Sequence, residues 1–134
     1  MIRHTATPTE LELLRTVLIA DDESSIRLLV HATIESDDYK VVEAADGAQA
    51  WAMAQELRPS LVLLDVQMPG RSGLEVLRSI KADPDLKATR VILLTSKAHE
   101  RDIEVGLIAG ADFYLTKPFS PLDLLTRVEE ALEL

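Results

Sequence analysis

The central segment of the chain reads LVLLDVQMPG over residues 61–70: an apolar run, then Asp65, then a Pro69-Gly70 turn signal. Continuous apolarity over so short a run is typical of a strand buried on both faces of a parallel sheet, because a half-exposed strand alternates apolar and polar side chains. The segment therefore predicts a central parallel strand that carries a carboxylate at its carboxyl end.

Similar segments lie on both sides of this one. Apolar or mostly apolar runs occupy residues 17–20, 41–44, 91–94 and 113–115. Between them, apolar residues recur with the period of amphipathic helices, for example at 26, 29, 30 and 34 and at 74, 77 and 80. Asp46-Gly47 is a further turn signal, and Ser120-Pro121 predicts the start of a last helix. Five strands alternating with five helices predict right-handed crossovers and one doubly wound parallel sheet of the α/β class.

Composition limits the classes of function. A chain of 134 residues, 47% hydrophobic and 28% charged, is expected to fold as one globular domain. Its 14 basic and 23 acidic residues give a net charge of −9, which disfavours direct binding to nucleic acid or to anionic membranes. The absence of cysteine excludes disulfides and sulfur-ligated metal. With no signal-peptide core and no apolar stretch of the ~20 residues that cross a bilayer, we expect a cytoplasmic protein.

The N-terminal residues differ in character from the rest. Residues 1–15 carry Pro8 and several threonines before a short leucine cluster. We expect an N-terminal extension here, either frayed or forming one helical turn, and a single folded domain over residues 16–134.

Polar side chains follow four of the five predicted strands. Asp21 and Asp22 come after the first strand, Asp65 after the third, Thr95 after the fourth and Lys117 near the end of the fifth. The carboxyl ends of parallel strands share one edge of the sheet, and ligands bind there where the strand order reverses. The second strand offers no comparable residue, which fits a position at the sheet edge. We therefore expect one site built from strands one, three, four and five.

Three carboxylates in such a site require a counter-charge. Two charges ~4 Å apart repel by about 4 kcal/mol at an effective dielectric constant of 20. Magnesium suits carboxylate and carbonyl oxygens and retains coordination positions for water and a phosphate oxygen. We predict Mg²⁺ as the cofactor, with Mn²⁺ as an alternative.

The strand-end segments, taken together, resemble the response-regulator receiver family over about residues 16–134. The matching segments are VLIADDE at 17–23, LLDVQMPG at 63–70, LLTS at 93–96 and GADFYLTKPF at 110–119. The resemblance implies a flavodoxin-like fold with strand order 2-1-3-4-5. It also implies a cis peptide bond between Lys117 and Pro118.

The resemblance assigns roles to the strand-end residues. Asp65 would accept a phosphoryl group from a sensor histidine kinase or a histidine phosphotransfer protein. The metal ligands would be Asp21, Asp22, Asp65 and the backbone carbonyl of Gln67. Lys117 would place its ammonium against a phosphoryl oxygen. The chain would thus be a phosphoacceptor switch that catalyses only its own phosphorylation and autodephosphorylation.

Two further residues are expected to transmit the signal. If the Thr95 hydroxyl moves toward the phosphoryl group, it vacates space that the Tyr114 ring can enter. This movement would alter the face formed by the fourth helix, fifth strand and fifth helix, where a downstream protein would bind. The protein would act as a monomer or as a phosphorylation-dependent dimer. Gln67 and Lys97 are expected to flank the path of the water that removes the phosphoryl group.

Three other functions remain open at this point. A phosphatase of the haloacid-dehalogenase type resembles this pattern but carries a second Asp two residues after the nucleophile, where this chain has Gln67. A flavin-binding module would need a hydroxyl- and Gly-rich phosphate loop, which is missing. A receiver-like domain that binds partners without phosphorylation is disfavoured because all the expected site residues are present.

The remaining chemically distinctive residues indicate less. His4, His31 and His99 lack the spacing of a helical metal-binding pair, so we expect solvated imidazoles. Trp51 is expected to pack partly on the flank of a helix.

Overall fold

The computed structural model describes residues 15–96 and 100–134 and contains five strands and five helices in these ranges. In chain order they are β1 (Arg15–Ala20), α1 (Ser24–Ile34), β2 (Tyr39–Ala44), α2 (Gly47–Leu57), β3 (Leu61–Asp65), α3 (Gly73–Ala82), β4 (Arg90–Ser96), α4 (Glu100–Ile108), β5 (Phe113–Lys117) and α5 (Pro121–Leu132). The strands form one parallel sheet in the order β2-β1-β3-β4-β5. Both the predicted α/β class and the strand order are confirmed.

Alternate side chains of the central strand enter two different cores. Leu61 and Leu63 pack with α1 and α5 residues such as Val30 and Val128 on one face of the sheet. Val62 and Leu64 pack with residues of α2 and α3 on the other face. All residues of β3 are buried. The continuous apolar run is therefore explained by helices that cover both faces of the sheet.

Side-chain caps fix where three helices begin. Ser120 accepts a hydrogen bond from the backbone N–H of Asp123, and Pro121 follows it, as predicted for the last helix. Ser72 caps α3 in the same way. Asp46, which we expected in a turn, accepts from the backbone N–H of Gln49 and caps α2, whose first residue is Gly47.

The N-terminal boundary differs slightly from the expectation. β1 begins at Arg15, one residue before the predicted domain boundary at residue 16. The other residues of the predicted extension, 1–14, lie outside the described residues. Within the described ranges, no helix combines the length and the apolarity needed to cross a membrane.

The strand register brings the polar strand ends to one edge of the sheet. Asp65 is paired with Leu94, so Thr95 lies one step beyond it on the neighbouring strand. Ser96 is paired with Lys117, the last residue of β5. The loop after β1 opens at the same edge, beside β3.

Candidate functional site

Asp21 is a fully buried carboxylate at the carboxyl end of β1. Its backbone N–H donates to the carbonyl of Ala44 over 3.2 Å, which continues the pairing of β1 with β2 past the end of the strand. Its Oδ1 accepts from the backbone N–H of Glu23 at 2.9 Å. The adjacent Asp22 is exposed. The loop thus directs one acidic side chain inward and leaves the next accessible to solvent.

Asp65 ends β3 with its side chain close to both of these residues. It is 5% exposed, and its Oδ1 accepts from the backbone N–H of Gln67 at 3.3 Å. One carboxylate oxygen from each of Asp21, Asp22 and Asp65 lies within 4.8 Å of the other two. The structure therefore brings together the three carboxylates that the sequence places after two different strands.

Lys117 supplies the positive charge that faces this cluster. Its Nζ lies 2.8 Å from Oδ2 of Asp21 and 3.5 Å from Oδ1 of Asp65. The peptide bond between Lys117 and Pro118 is cis, which confirms the expectation from the resemblance.

The electrostatic balance of the cluster is most evident at Asp65. Burial, reinforced by the charge of Asp21, raises the pKa of Asp65 to about 7, although Lys117 and the backbone N–H of Gln67 oppose the shift. Burial alone would lower the pKa of Lys117, but its hydrogen bond to Asp21 and the charges of Asp65 and Asp21 outweigh burial and raise that pKa. One ammonium thus offsets three carboxylates only in part.

A cleft of about 240 Å³ opens over these residues. It is lined by Asp22, Glu23, Asp65, Gln67, Thr95, Ser96 and Lys117. Thr95 is 2% exposed, and its hydroxyl donates to the Ser96 carbonyl at 3.4 Å. The side chain of Gln67 is exposed. Five of the seven predicted site residues therefore line this one cleft, and the buried Asp21 adjoins it through its ion pair with Lys117.

Tyr114 lies apart from the cleft. Its side chain is 43% exposed, and it lines a separate groove of about 590 Å³ together with Leu107, Phe119 and Arg127. This groove follows β5 between α4 and α5. Lys97, expected beside the hydrolytic water, lies outside the described residues, as do His4 and His99.

The chemistry of the donor set fits a hard divalent cation. Carboxylate oxygens from three residues converge, and both donors to Asp65 contact its Oδ1, so among the described residues no group donates to its Oδ2. Oxygen ligands with excess negative charge are what Mg²⁺ selects. Asp21, Asp22 and Asp65 are therefore the side chains that could hold this metal.

Three residues near the cluster were not predicted as parts of one network. Arg27 donates to the Asp21 carbonyl at 2.6 Å through Nη1, and its Nε lies 3.3 Å from Oε1 of Glu43. His31 Nδ1 lies 2.7 Å from the other oxygen of Glu43. The imidazole of His31 is therefore partly exposed and bonded to Glu43, and not fully solvated as expected. The i, i+4 spacing of Arg27 and His31 on α1 was an available signal, but only the pairing of β2 with β1 shows that Glu43 faces them.

Comparisons with known proteins agree with this geometry. The family model described as "Response regulator receiver domain" matches residues 17–129. The phosphate regulon transcriptional regulatory protein PhoB of Pseudomonas aeruginosa is 41% identical over 118 residues, which are 88% of this chain and 52% of that protein. The transcriptional regulatory protein ResD of Bacillus subtilis is 41% identical over 116 residues, 87% of this chain and 47% of that protein. The chain thus spans about half the length of these curated relatives.

Solved structures give the same result. Chemotaxis protein CheY4 of Vibrio cholerae aligns with a TM-score of 0.79 at 34% identity, over 88% of this chain and 98% of that one. A CheY-like response regulator receiver domain protein from Methanospirillum hungatei aligns with a TM-score of 0.82 at 30% identity, over 90% of this chain and 94% of that one. The fold, the family model and the relatives all agree: this chain belongs to the response regulator receiver domain family of two-component signalling.

Proposed function

We propose that this receiver domain is an active phosphorylation switch in which Asp65 accepts a phosphoryl group in a Mg²⁺-dependent reaction. The observation that carries the proposal is the convergence of Asp65, Asp21 and Asp22 with the ammonium of Lys117 around one open cleft. Asp65 is almost fully buried, yet it contacts Lys117 and lines an open cleft. An acidic loop with a purely structural role does not account for this arrangement.

The residues divide the chemistry among themselves. A carboxylate oxygen of Asp65 attacks the phosphorus of a phosphohistidine, the O–P bond forms, the P–N bond breaks, and the released imidazole nitrogen takes up a proton. Lys117 opposes the rise in the pKa of Asp65 and so favours its ionised form, and its ammonium can meet a phosphoryl oxygen. Asp21, Asp22, Asp65 and the Gln67 carbonyl would hold Mg²⁺, which would supply positive charge against the phosphoryl oxygens.

We infer the donor and the output by analogy with the family. The proposed donor is a sensor histidine kinase or a histidine phosphotransfer protein, and the output is binding of a downstream protein. The groove beside Tyr114 supports the α4–β5–α5 face as the output surface, because it offers an exposed aromatic ring on β5, the strand that also carries Lys117. Thr95, buried at the cleft, would couple the two regions. Dimerisation through this face on phosphorylation would be one form of the output.

The phosphoryl lifetime and the domain limits complete the proposal. Gln67 lines the cleft with an exposed amide, in a position to influence the approach of water. We assign the same role to Lys97, and an unchanged dephosphorylation rate in Lys97→Ala would refute it. Residues 16–134 are proposed as the receiver domain, with Arg15 as the first residue of its first strand, and the residues before Arg15 as an extension.

Mass spectrometry after incubation with acetyl phosphate and Mg²⁺ tests the central claim. The wild type is expected to gain one phosphoryl group, about 80 Da, at an aspartyl side chain. Asp65→Asn should gain nothing, whereas Asp37→Asn, which alters an exposed carboxylate elsewhere, should behave like the wild type. A modification that persists in Asp65→Asn would overturn the assignment of Asp65. No modification of the wild type would favour a receiver-like binding module, and multiple turnover on phosphate esters would favour a phosphatase.

A further inference from the structure

The loop between β3 and α3 carries Gln67 and is held close to the end of the strand. The N–H of Gly73 donates to the Val66 carbonyl at 2.9 Å, and a Cβ on Gly73 would overlap the backbone of Asp65. Val66 is buried, and Met68 packs against the core on the α2–α3 face of the sheet. Gln67 therefore lies between two anchored neighbours at the near end of the loop.

Arg71 fastens the far end of the same loop to two helices. Its guanidinium carbon lies 5.5 Å from the ring centroid of Trp51 on α2, within cation–π range. Its Nη2 donates to the Ser79 hydroxyl on α3 at 2.5 Å. Trp51 is partly buried against the core, as expected from the sequence, and its remaining surface receives the arginine.

The backbone of Arg71 is fitted as closely as its side chain. A Cβ on Gly47, the first residue of α2, would overlap the carbonyl oxygen of Arg71. This close approach is open only to glycine at that position. Side chain and main chain of Arg71 therefore fix the loop against α2, the helix that Asp46 caps.

We infer that Arg71 is a positioning residue: its contacts with Trp51 and Ser79 hold in place the loop that carries Gln67, whose carbonyl is a proposed metal ligand. This role rests on the proposed function, because it requires that the acidic cluster take Mg²⁺. Arg71 itself binds neither metal nor phosphoryl group in this assignment. It acts through the conformation of the loop that joins it to Gln67.

The direction in which the loss of Arg71 changes the affinity for Mg²⁺ distinguishes a positioning role from a purely electrostatic one. Arg71 is positively charged, so its removal by charge alone would strengthen the binding of a divalent cation. Loss of positioning would weaken that binding. Outer contacts that orient metal ligands are typically worth about 10- to 100-fold in affinity. We expect the loss of Mg²⁺ affinity in Arg71→Ala to be near the lower end of this range, because Val66 and Met68 still anchor the loop.

Calorimetric titration of the whole chain with Mg²⁺ tests the assignment. Arg71→Ala is expected to raise the Kd for Mg²⁺ about tenfold. Arg78→Ala removes an exposed arginine from α3 and should leave the Kd unchanged or lower it slightly. Ser79→Ala, a mild change that preserves folding, should raise the Kd by a smaller factor. Arg71→Lys should not restore the wild-type value, since an ammonium lacks the planar face that stacks on an indole.

Fluorescence provides a second readout, because Trp51 is the only tryptophan of the chain. Mg²⁺ should shift its emission in the wild type and produce a smaller shift in Arg71→Ala. Equal or tighter Mg²⁺ binding by Arg71→Ala and Ser79→Ala, beside normal binding by the wild type, would overturn the role of Arg71 and leave the proposed function standing. Absence of Mg²⁺ binding by the wild type would overturn both. If Arg71→Ala is less stable to urea but binds Mg²⁺ with the wild-type Kd, Arg71 is structural only, and its positioning role is overturned.

Discussion

The ammonium nitrogen of Lys117 lies 2.8 Å from Oδ2 of Asp21, in an ion pair whose carboxylate is fully buried. The two residues are 96 positions apart in the chain, at the ends of β1 and β5, which are not neighbours in the sheet. The pair holds the amine near Asp65 before any phosphoryl group is present. Asp21 therefore serves the fold and the proposed reaction through the same contact.

Replacing Lys117 with Met is expected to destabilise the metal-free protein. Because the change leaves the buried Asp21 carboxylate without its counter-charge, the free energy of unfolding should fall by about 3 kcal/mol. Urea unfolding at pH 7 in the presence of a chelator measures this. Lys40→Met alters an exposed lysine on β2 and should cost less than about 0.5 kcal/mol. Equal losses in both variants would contradict the importance of the pair.

Asp65→Asn is expected to stabilise the metal-free protein more strongly at pH 8 than at pH 5. The pKa of Asp65 is raised from 3.8 to about 7. The stability that the protonated Asp65 contributes is therefore full below pH ~4 and is lost progressively as the pH rises through 7. An uncharged Asn avoids that loss, which for a shift from 3.8 to about 7 is on the order of 4 kcal/mol at pH 8. Thermal unfolding at both pH values, with chelator, measures the difference. Added Mg²⁺ should reverse the order at pH 8, because Asn is a poorer ligand. A pH-independent difference would refute the shifted pKa.

Fluorine NMR of the chain labelled with 3-fluorotyrosine is expected to show Tyr114 moving on phosphorylation. The chain has two tyrosines: Tyr39 is buried at 6% exposure, and Tyr114 is exposed at 43%. With acetyl phosphate and Mg²⁺, the Tyr114 resonance should shift toward a buried environment while that of Tyr39 stays in place.

The coupling between Thr95 and Tyr114 has its own control. Thr95→Val keeps the size of the side chain but removes the hydroxyl that would meet the phosphoryl group. The variant should still be phosphorylated on Asp65, with the shift of Tyr114 reduced or absent. A full shift in Thr95→Val would show that Tyr114 responds through some other residue.

Gly73→Ala is expected to cost more stability than Gly70→Ala. A methyl group on Gly73 would overlap the Asp65 carbonyl, so we expect a loss of about 2–3 kcal/mol. Gly70 has nothing within 4 Å of its missing Cβ, and its φ of +75° alone should cost Ala about 1 kcal/mol. Urea unfolding gives both values, and the reverse order would contradict the close approach of α3 to β3.

Much of the site could be predicted from short stretches of sequence. The apolar run before Asp65 indicates a doubly covered strand, and the Ser120-Pro121 pair marks the start of α5. These signals are local, because strand burial and helix capping depend on residues a few positions apart. The association of Asp21 with Asp65 also followed, since parallel strands bring their carboxyl ends to one edge.

The partners of individual side chains could not be predicted in this way. Nothing near His31 in the sequence indicates Glu43, and nothing near Arg71 indicates Trp51. Each of these pairs joins residues of different secondary-structure elements. Whether the two side chains meet therefore depends on how the sheet twists and how the helices pack against it.

The sequence by itself determined the class of fold, the strands that carry polar ends and the residues available for phosphoryl chemistry. Only the tertiary structure decided that Lys117 pairs with Asp21, that Tyr114 lies in a separate groove and that the pKa of Asp65 is raised. The physical reason is range: apolar period and capping act over a few residues, whereas distance, burial and electric field are set by groups that meet only when the whole chain is folded.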